Sequence, residues 1–448
     1  MKIQFLGAAG MVTGSSYVLT SGSGKSILID LGMFQGPEIE HLNYVPYNYD
    51  CSRLVGAVLT HAHLDHCGRL PILLPNGFAA PIWMTSATAD LTELSLLDSA
   101  KIARIDGKQI LYDANLAIET IERFKRVYYR EPVQIGDFIV TFRDAGHIMG
   151  SAMLEIEDTQ ADSDVKKIIF SGDLGNSPDN LLHDTELLDN ADAVVMESTY
   201  GDRLHPQEDP NTAITSEINA VEKTGGTLLI PAFSLQRTQE LLHMISHLKK
   251  SGKILDTTPI FMDSPMAETA TGIYSNYPKD FNEHIQKEFT GAGPFEFPGF
   301  VMVGRRNESE AIHRQMGSKV IIAGSGMMTG GRIMGHAAIY LPLPNTRLLI
   351  VGYQGEGTLG RELMEGAKTV QIDEKTVHVK AEIHNTQAMS SHADQGQLMT
   401  WLGHIKNVKH VCLTHGDDGP RAALAKLITE KLDIGDVKIP KLQQEITV

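Results

Sequence analysis

Three histidines and an aspartate stand within six residues in "THAHLDHCG": His61, His63, Asp65 and His66. Imidazole nitrogens and carboxylate oxygens together suit zinc and similar divalent ions. His61 and His63 follow an apolar run, where a tight turn can aim both rings at one ion. Asp65 and His66 are adjacent, so their side chains diverge from that pair towards a second ion. One short segment can thus feed two metals but complete neither, since a structural zinc takes four protein ligands and a catalytic one leaves room for water. The chain offers further donors. His147 in "DAGHIMGSA" would complete the first ion and His415 in "LTHGD" the second. Asp173 in "FSGDLG" has two carboxylate oxygens and can bridge both.

The charge count indicates the chemistry. Two divalent ions bring four positive charges; Asp65, Asp173 and a bridging hydroxide remove three. A residual charge of about +1, in a chain whose net charge is −16, favours an anionic substrate such as a phosphodiester. Water on such a metal has a pKa near about 7, which makes metal-hydroxide attack available at neutral pH.

These residues need a rigid frame, and the sequence pattern supplies one. "SILID" ends at Asp30, "LVGAVLTH" at His61 and "KKIIFSGD" at Asp173. "DFIVTFRDAGH" leads to His147, "ADAVVMES" to Glu197 and "VKHVCLTHGD" to His415. Short β-branched or apolar runs of this kind predict strands, several buried on both faces, with functional groups on the loops at their ends. "TADLTELSLLDSAKIAR", "NLAIETIERFKRV" and "SLQRTQELLHMISHLKKSG" carry helical periodicity, the last closing at Gly252. Strands and helices alternate throughout, which indicates α/β layers. The polar stretch "GDRLHPQEDPNT" (201–212) marks a boundary, and a new α/β pattern follows it before His415 is reached. The middle block therefore reads as an insertion into a first domain that resumes near the C-terminus.

At 448 residues the chain is long enough for two or three domains. Its net charge of −16 argues against broad, non-specific coating of nucleic acid or acidic membrane, and any polyanion needs a local positive site. Three cysteines imply no disulfide framework. The N-terminus reads as a strand and turn, not a secretory signal, and no apolar run reaches a membrane span. A cytoplasmic protein is expected, with no membrane partner.

"THAHLDHCG" resembles the metal signature of the metallo-β-lactamase fold. The match continues along nearly the whole chain: "ESTYGDR" (197–203), "PAFSLQRTQELL" (231–242), "GSGMMTGGR" (324–332), "SSHADQ" (390–395) and "LTHGD" resemble the β-CASP branch. That branch contains ribonuclease J and the nuclease subunit of the cleavage and polyadenylation factor. The resemblance implies an αββα metallo-β-lactamase sandwich with an inserted α/β β-CASP cap domain. The first domain would span 1–205, the β-CASP domain 206–375 and the returning part 376–448. The cap would close over the metal cleft and thread a strand of substrate through it.

The resemblance also implies roles. His392 matches the family's general acid, which would protonate the leaving 3′ oxygen, and Glu197 matches the acidic residue that orients it. Asp65 joins them among the catalytic groups, and Asp30 would support the metal loop without ligating. Ser325, Arg332, Ser390 and Ser391 are candidate substrate contacts: glycines in "GSGMMTGGR" let a backbone approach phosphate, and Arg332 could add a charge-assisted bond. The expected cofactors are two zinc ions, with other divalent metals as substitutes. The expected activity is hydrolysis of single-stranded RNA, endonucleolytic or from a 5′ end, with homodimerisation left open. No appended nucleic-acid-binding domain like ribonuclease J's C-terminal region is expected after His415.

Two rival functions share the fold. A hydrolase of small esters, thioesters or lactams needs the His61-to-Asp173 ligands but no Glu197–His392 pair. A non-catalytic RNA-binding scaffold needs no complete ligand set, whereas all seven candidates are present here. An iron redox role fits less well, since the related di-iron proteins resemble H-x-E-x-D-H and the third position here is His63.

Overall fold

The three-dimensional structure, a computed structural model, describes residues 1–448 other than 37, 47, 48, 106, 108, 162, 163, 178–180, 291, 292 and 387. Strand-forming segments dominate the first 200 residues, and they assemble as two seven-stranded sheets. One sheet runs in the order Glu445–Thr447, Lys2–Phe5, Ser16–Thr20, Ser26–Leu31, Leu54–Val58, Ile82–Thr85, Phe124–Val127. The other runs Asp436–Lys438, His410–Leu413, Ala193–Met196, Lys167–Phe170, Ala152–Asp158, Phe138–Asp144, Pro132–Ile135.

Period-two alternation decides which face each side chain joins. Ile27 and Ile29 pack inward with Phe138, Val140, Phe142, Leu154, Ile168 and Phe170 in the core between the sheets. Leu28, between the two isoleucines, points outward to Ala89, Leu96 and Ala117 on the helices Ser86–Ile105 and Ala114–Ile121. On the second sheet Ile169 and Val194 face outward to Leu398, Trp401, Leu424 and Ile428 of the helices Gln395–His404 and Asp418–Lys431. The layers are therefore αββα, as expected. The segment "NLAIETIERFKRV" departs from its helical reading: the helix stops at Ile121, and Phe124–Val127 is a strand paired in parallel with Ile82–Thr85. Pairing at the open sheet edge outweighs the local helical periodicity there.

This first compact unit comprises Met1–Leu204 and Ser391–Val448; the second is His205–Ser390. Residues 376–390, assigned from the sequence to the returning domain, stay in the second unit because strand Glu382–Asn385 pairs with Thr346–Ile350 at the edge of its sheet. That sheet has six parallel strands in the order Phe300–Met302, Ile260–Asp263, Lys319–Ala323, Thr227–Pro231, Thr346–Ile350, Glu382–Asn385. The helix expected from "SLQRTQELLHMISHLKKSG" runs Arg237–Lys250 and ends as predicted, with Gly252 at φ +69°. Among the described residues no helix is long and apolar enough to cross a membrane.

Register brings the functional strand ends to one edge of the first unit. Lys167–Phe170 runs parallel to Ala193–Met196, and that strand runs parallel to His410–Leu413 with Met196 opposite Leu413. The loops bearing Asp173, Glu197 and His415 therefore emerge side by side. Ala152–Asp158 runs antiparallel to Lys167–Phe170, so the loop before it, which carries His147, opens at the same edge. Phe142 is fully buried between the sheets, whereas Ile118 is 49% exposed. Phe142→Ala is expected to lower stability by about 3–5 kcal/mol, and Ile118→Ala by no more than about 0.5 kcal/mol, read as shifts of the urea unfolding midpoint.

Candidate metal and catalytic centre

The segment after strand Leu54–Val58 turns at Thr60 and enters a single helical turn, Leu64–Cys67. Gly32 makes room for that turn: a Cβ at this position would lie 1.5 Å from the Asp65 carbonyl oxygen. The result is two groups of donors. His61, His63 and His147 gather with Asp173, and Asp65, His66 and His415 form the second group. His61 Nε2 and His147 Nε2 each lie 3.2 Å from His63 Nδ1. Asp173 Oδ2 is 3.5 Å from His61 Nε2 and 3.7 Å from His147 Nε2. Its other oxygen, Oδ1, is 3.2 Å from His66 Nε2 and 3.7 Å from His415 Nε2. His415 Nε2 is also 3.4 Å from Asp65 Oδ2. All seven predicted donors thus meet in one cleft, with one Asp173 oxygen turned to each group.

Four of the five imidazoles are oriented by a partner on the other nitrogen. His66 Nδ1 meets Asp30 Oδ2 at 2.7 Å. His147 Nδ1 donates to the Ser391 carbonyl at 3.0 Å, His61 Nδ1 faces Thr60 Oγ1 at 3.1 Å, and His415 Nδ1 faces Thr199 Oγ1 at 3.2 Å. Fixing the tautomer in this way leaves the opposite nitrogen free to coordinate. Thr60, Thr199 and the Ser391 carbonyl escaped the sequence reading. Their only sequence signal is adjacency, Thr60 before His61 and Thr199 just after Glu197; a main-chain carbonyl leaves none. Asp30 is not in a turn. It is the extra residue of a β-bulge in strand Ser26–Leu31, at φ +54°, and it is fully enclosed. The bulge aims its carboxylate at Thr60 N and Oγ1, both at 2.8 Å, and at His66.

Burial strips hydration from the first group and keeps it neutral. His61 and His147 fall well below the usual histidine range, and His63 falls to about 4. Burial also opposes charge on His66, but the Asp173 and Asp30 carboxylates outweigh it and raise that imidazole well above its usual range. Against its own burial, Asp173 is held well below the usual carboxylate range by His415, His66 and His61. Asp65 is likewise drawn down to about 2, chiefly by the hydrogen bond from His415. The cleft therefore collects negative charge that protonated imidazole or a bound cation can balance. Asp173 Oδ1 is buried with no well-aligned hydrogen bond, only the ring nitrogens of His66 and His415 around it, an arrangement that a metal ion satisfies. The donor set of imidazole nitrogens and carboxylates fits zinc or a similar divalent ion.

A third group adjoins these two. His392 Nδ1 lies 3.2 Å from Glu197 Oε1, and His392 Nε2 lies 4.0 Å from Asp173 Oδ2. The segment carrying His392 runs beside the Asp173 loop: Asn176 N donates to Ser391 O at 3.1 Å and Ala393 N to Leu174 O at 2.8 Å. Glu197 is buried and accepts from Leu174 N at 2.6 Å, so one carboxylate ties both segments. Burial opposes charge on His392, yet Glu197 and then Asp173 raise it to about 9.

The chain is similar to known proteins in three stretches and as a whole. Residues 9–214 match the metallo-beta-lactamase superfamily, residues 238–363 the Beta-Casp domain, and residues 376–440 the Zn-dependent metallo-hydrolase RNA specificity domain. Ribonuclease TTHA0252 of Thermus thermophilus is 36% identical over 432 residues, which cover 96% of each chain. This protein belongs to the β-CASP family of metallo-β-lactamase-fold hydrolases. An RNase J-like protein of Methanocaldococcus jannaschii is 30% identical over 413 residues, which cover 91% of each chain. The transcription termination factor FttA of Methanosarcina mazei is 29% identical over 97% of this chain and 70% of its own. A crystal structure of a protein of unknown function from Enterococcus faecalis superposes with a TM-score of 0.54 at 11% identity, covering 100% of this chain and 99% of that one, a likeness of fold alone. The family, fold class and metallo-hydrolase character expected from the motifs are borne out by these matches.

Three remaining candidates belong to the second unit. Ser390 is the last residue of the second unit. Ser325 also belongs there, its Oγ accepting from Thr329 N at 3.0 Å to close the "GSGMMTGGR" loop. Arg332 is corrected as a phosphate contact. Its guanidinium is turned inward, paired with Asp263 and donating to the Val303 carbonyl at 2.8 Å and the Gly304 carbonyl at 2.5 Å. A buried carboxylate claims that charge, because breaking a buried ion pair costs several kcal/mol, roughly 3–5.

Metal analysis of variants tests the donor set. Asp173→Asn is expected to lose metal, read by plasma mass spectrometry after dialysis; full retention would remove Asp173 from the donor set. Gly32→Ala, which pushes on the Asp65 carbonyl, is expected to lower metal content while every donor side chain stays in the sequence.

Proposed function

We propose that the protein is a zinc-dependent ribonuclease that hydrolyses phosphodiester bonds of single-stranded RNA, with two ions held by the seven donors and Asp173 shared between them. The observation that carries this reading is the His392–Glu197 pair beside the donor groups. A lactam, ester or thioester hydrolase needs no such pair, whereas a phosphodiester has a poor leaving group, the 3′ oxygen, that requires a proton.

Ions bound in this cleft supply Lewis acidity and a water nucleophile available near neutral pH. The chain supplies the rest. His392 Nδ1–H donates to Glu197, which leaves Nε2 to carry the mobile proton to the departing oxygen. Glu197 stabilises the charged imidazole and fixes its tautomer, and its bond to Leu174 N keeps that pair in register with Asp173. Asp65, whose side chain is 18% exposed, faces the cleft and can orient the attacking water. Contacts to phosphate and stacked bases, without sequence readout, complete the reading. Relatives named as a ribonuclease and an RNase J-like protein support RNA as the substrate.

Cleavage of an end-labelled RNA oligonucleotide, run against nitrocefin and thioesters, tests the substrate class. Activity on the small molecules with none on RNA would overturn the proposal, and the ladder from either labelled end gives the direction of cutting. His392→Ala is expected to keep metal content near wild type and lower RNA cleavage about 10²-fold or more. Undiminished cleavage in that variant would remove His392 from the mechanism.

A further inference from the structure

A second set of metal-type donors lies within the inserted unit. The helix Arg237–Lys250 carries histidines at 243 and 247, one turn apart, so both rings leave the same face. Their Nε2 atoms converge on one oxygen of Glu288, at 3.2 Å from His243 and 2.8 Å from His247. Glu288 belongs to a different segment, the 3₁₀ turn Lys287–Thr290. The three donor atoms lie within 4.8 Å of one another. That is close to the spread of ligands placed about 2.0–2.2 Å from a common centre.

Hydrogen bonding alone uses this set poorly. Two imidazoles aim at a single oxygen, and His243 Nδ1 is buried without a partner. Burial lowers His243 to about 4, so at neutral pH it presents an uncharged ring beside a carboxylate. Neutral imidazole and ionised carboxylate are the protonation states that a borderline divalent ion requires. Lys250 Nζ, 3.4 Å from the other Glu288 oxygen, is half-exposed, a weak surface tie that an incoming cation displaces. His247 is 41% exposed, so the set is open on one side. His284, exposed, has its ring centroid 6.4 Å from that of His247.

We propose that His243, His247 and Glu288 bind one divalent ion of the zinc, cobalt or nickel type, distinct from the donor groups of the first unit, with water completing its shell on the open side. The ion clips the helix Arg237–Lys250 to the segment Glu283–Thr290. It takes no part in the hydrolytic step.

The test counts metal in the whole protein. Chelator-stripped chain is loaded with Zn²⁺, dialysed and analysed, and the same stripped chain is titrated with Zn²⁺ by calorimetry. Wild type is expected to hold one equivalent more than His247→Gln or Glu288→Gln, with unchanged circular dichroism and RNA cleavage within about twofold of wild type in both variants. Loading with Co²⁺ should give a visible absorption component that both variants lack. Equal zinc content and equal isotherms in the three proteins would overturn the site, as would an extra equivalent that binds only in the millimolar range. The metal count stands whether or not RNA proves to be the substrate.

Discussion

Buried negative charge is the constraint around which the first unit is built. Asp30, Asp173 and Glu197 are almost fully enclosed, and Asp65 is close to it. An ionised carboxylate removed from water is tolerable only beside hydrogen-bond donors and positive charge. Each of the four meets a histidine: Asp30 meets His66, Asp65 meets His415, Glu197 meets His392, and Asp173 stands among His61, His66 and His147. Histidine is the residue that can answer this demand in more than one way. It can accept a proton, donate a hydrogen bond or give a lone pair to a metal, and its other nitrogen reports which.

Orientation is as costly to secure as charge. The ring nitrogens opposite the cleft are held by a carboxylate, two threonine hydroxyls and a main-chain carbonyl. Such outer partners set tautomer and ring angle, and they come from segments far apart in the chain. Asp30 and His415 both sit at positive φ, +54° and +47°, where a residue with a Cβ costs about 1–2 kcal/mol. The αββα core, closed by Phe138, Phe142 and Phe170, is what holds these two residues in that conformation.

The second unit applies the same electrostatic rule. Asp263, fully buried, is answered by Arg332 and by His336 Nε2 at 2.7 Å. Arg332 therefore stabilises the parallel sheet from the end of "GSGMMTGGR". A glycine-rich loop that ends in arginine resembles an anion site on paper, yet the nearest anion here is internal. The same unit gathers His243, His247 and Glu288, two histidines one helical turn apart facing a carboxylate from a different segment.

Much of this protein was legible in its sequence because the informative residues sit where pattern is strongest. Apolar runs ending in His61, Asp173 and His415 gave strands and strand-end loops, since period and termination are local properties. The six-residue cluster announced a metal site for the same reason: ligand type and spacing need no knowledge of distant contacts. Tertiary structure alone decided what depended on long-range pairing. It turned Phe124–Val127 from helix into edge strand, kept Glu382–Asn385 with the second sheet, and turned Arg332 towards Asp263. It also chose the silent partners, Thr60, Thr199 and the Ser391 carbonyl. A hydroxyl or carbonyl gains its role from the ring opposite it, and sheet register, not the one-dimensional sequence, sets which ring that is.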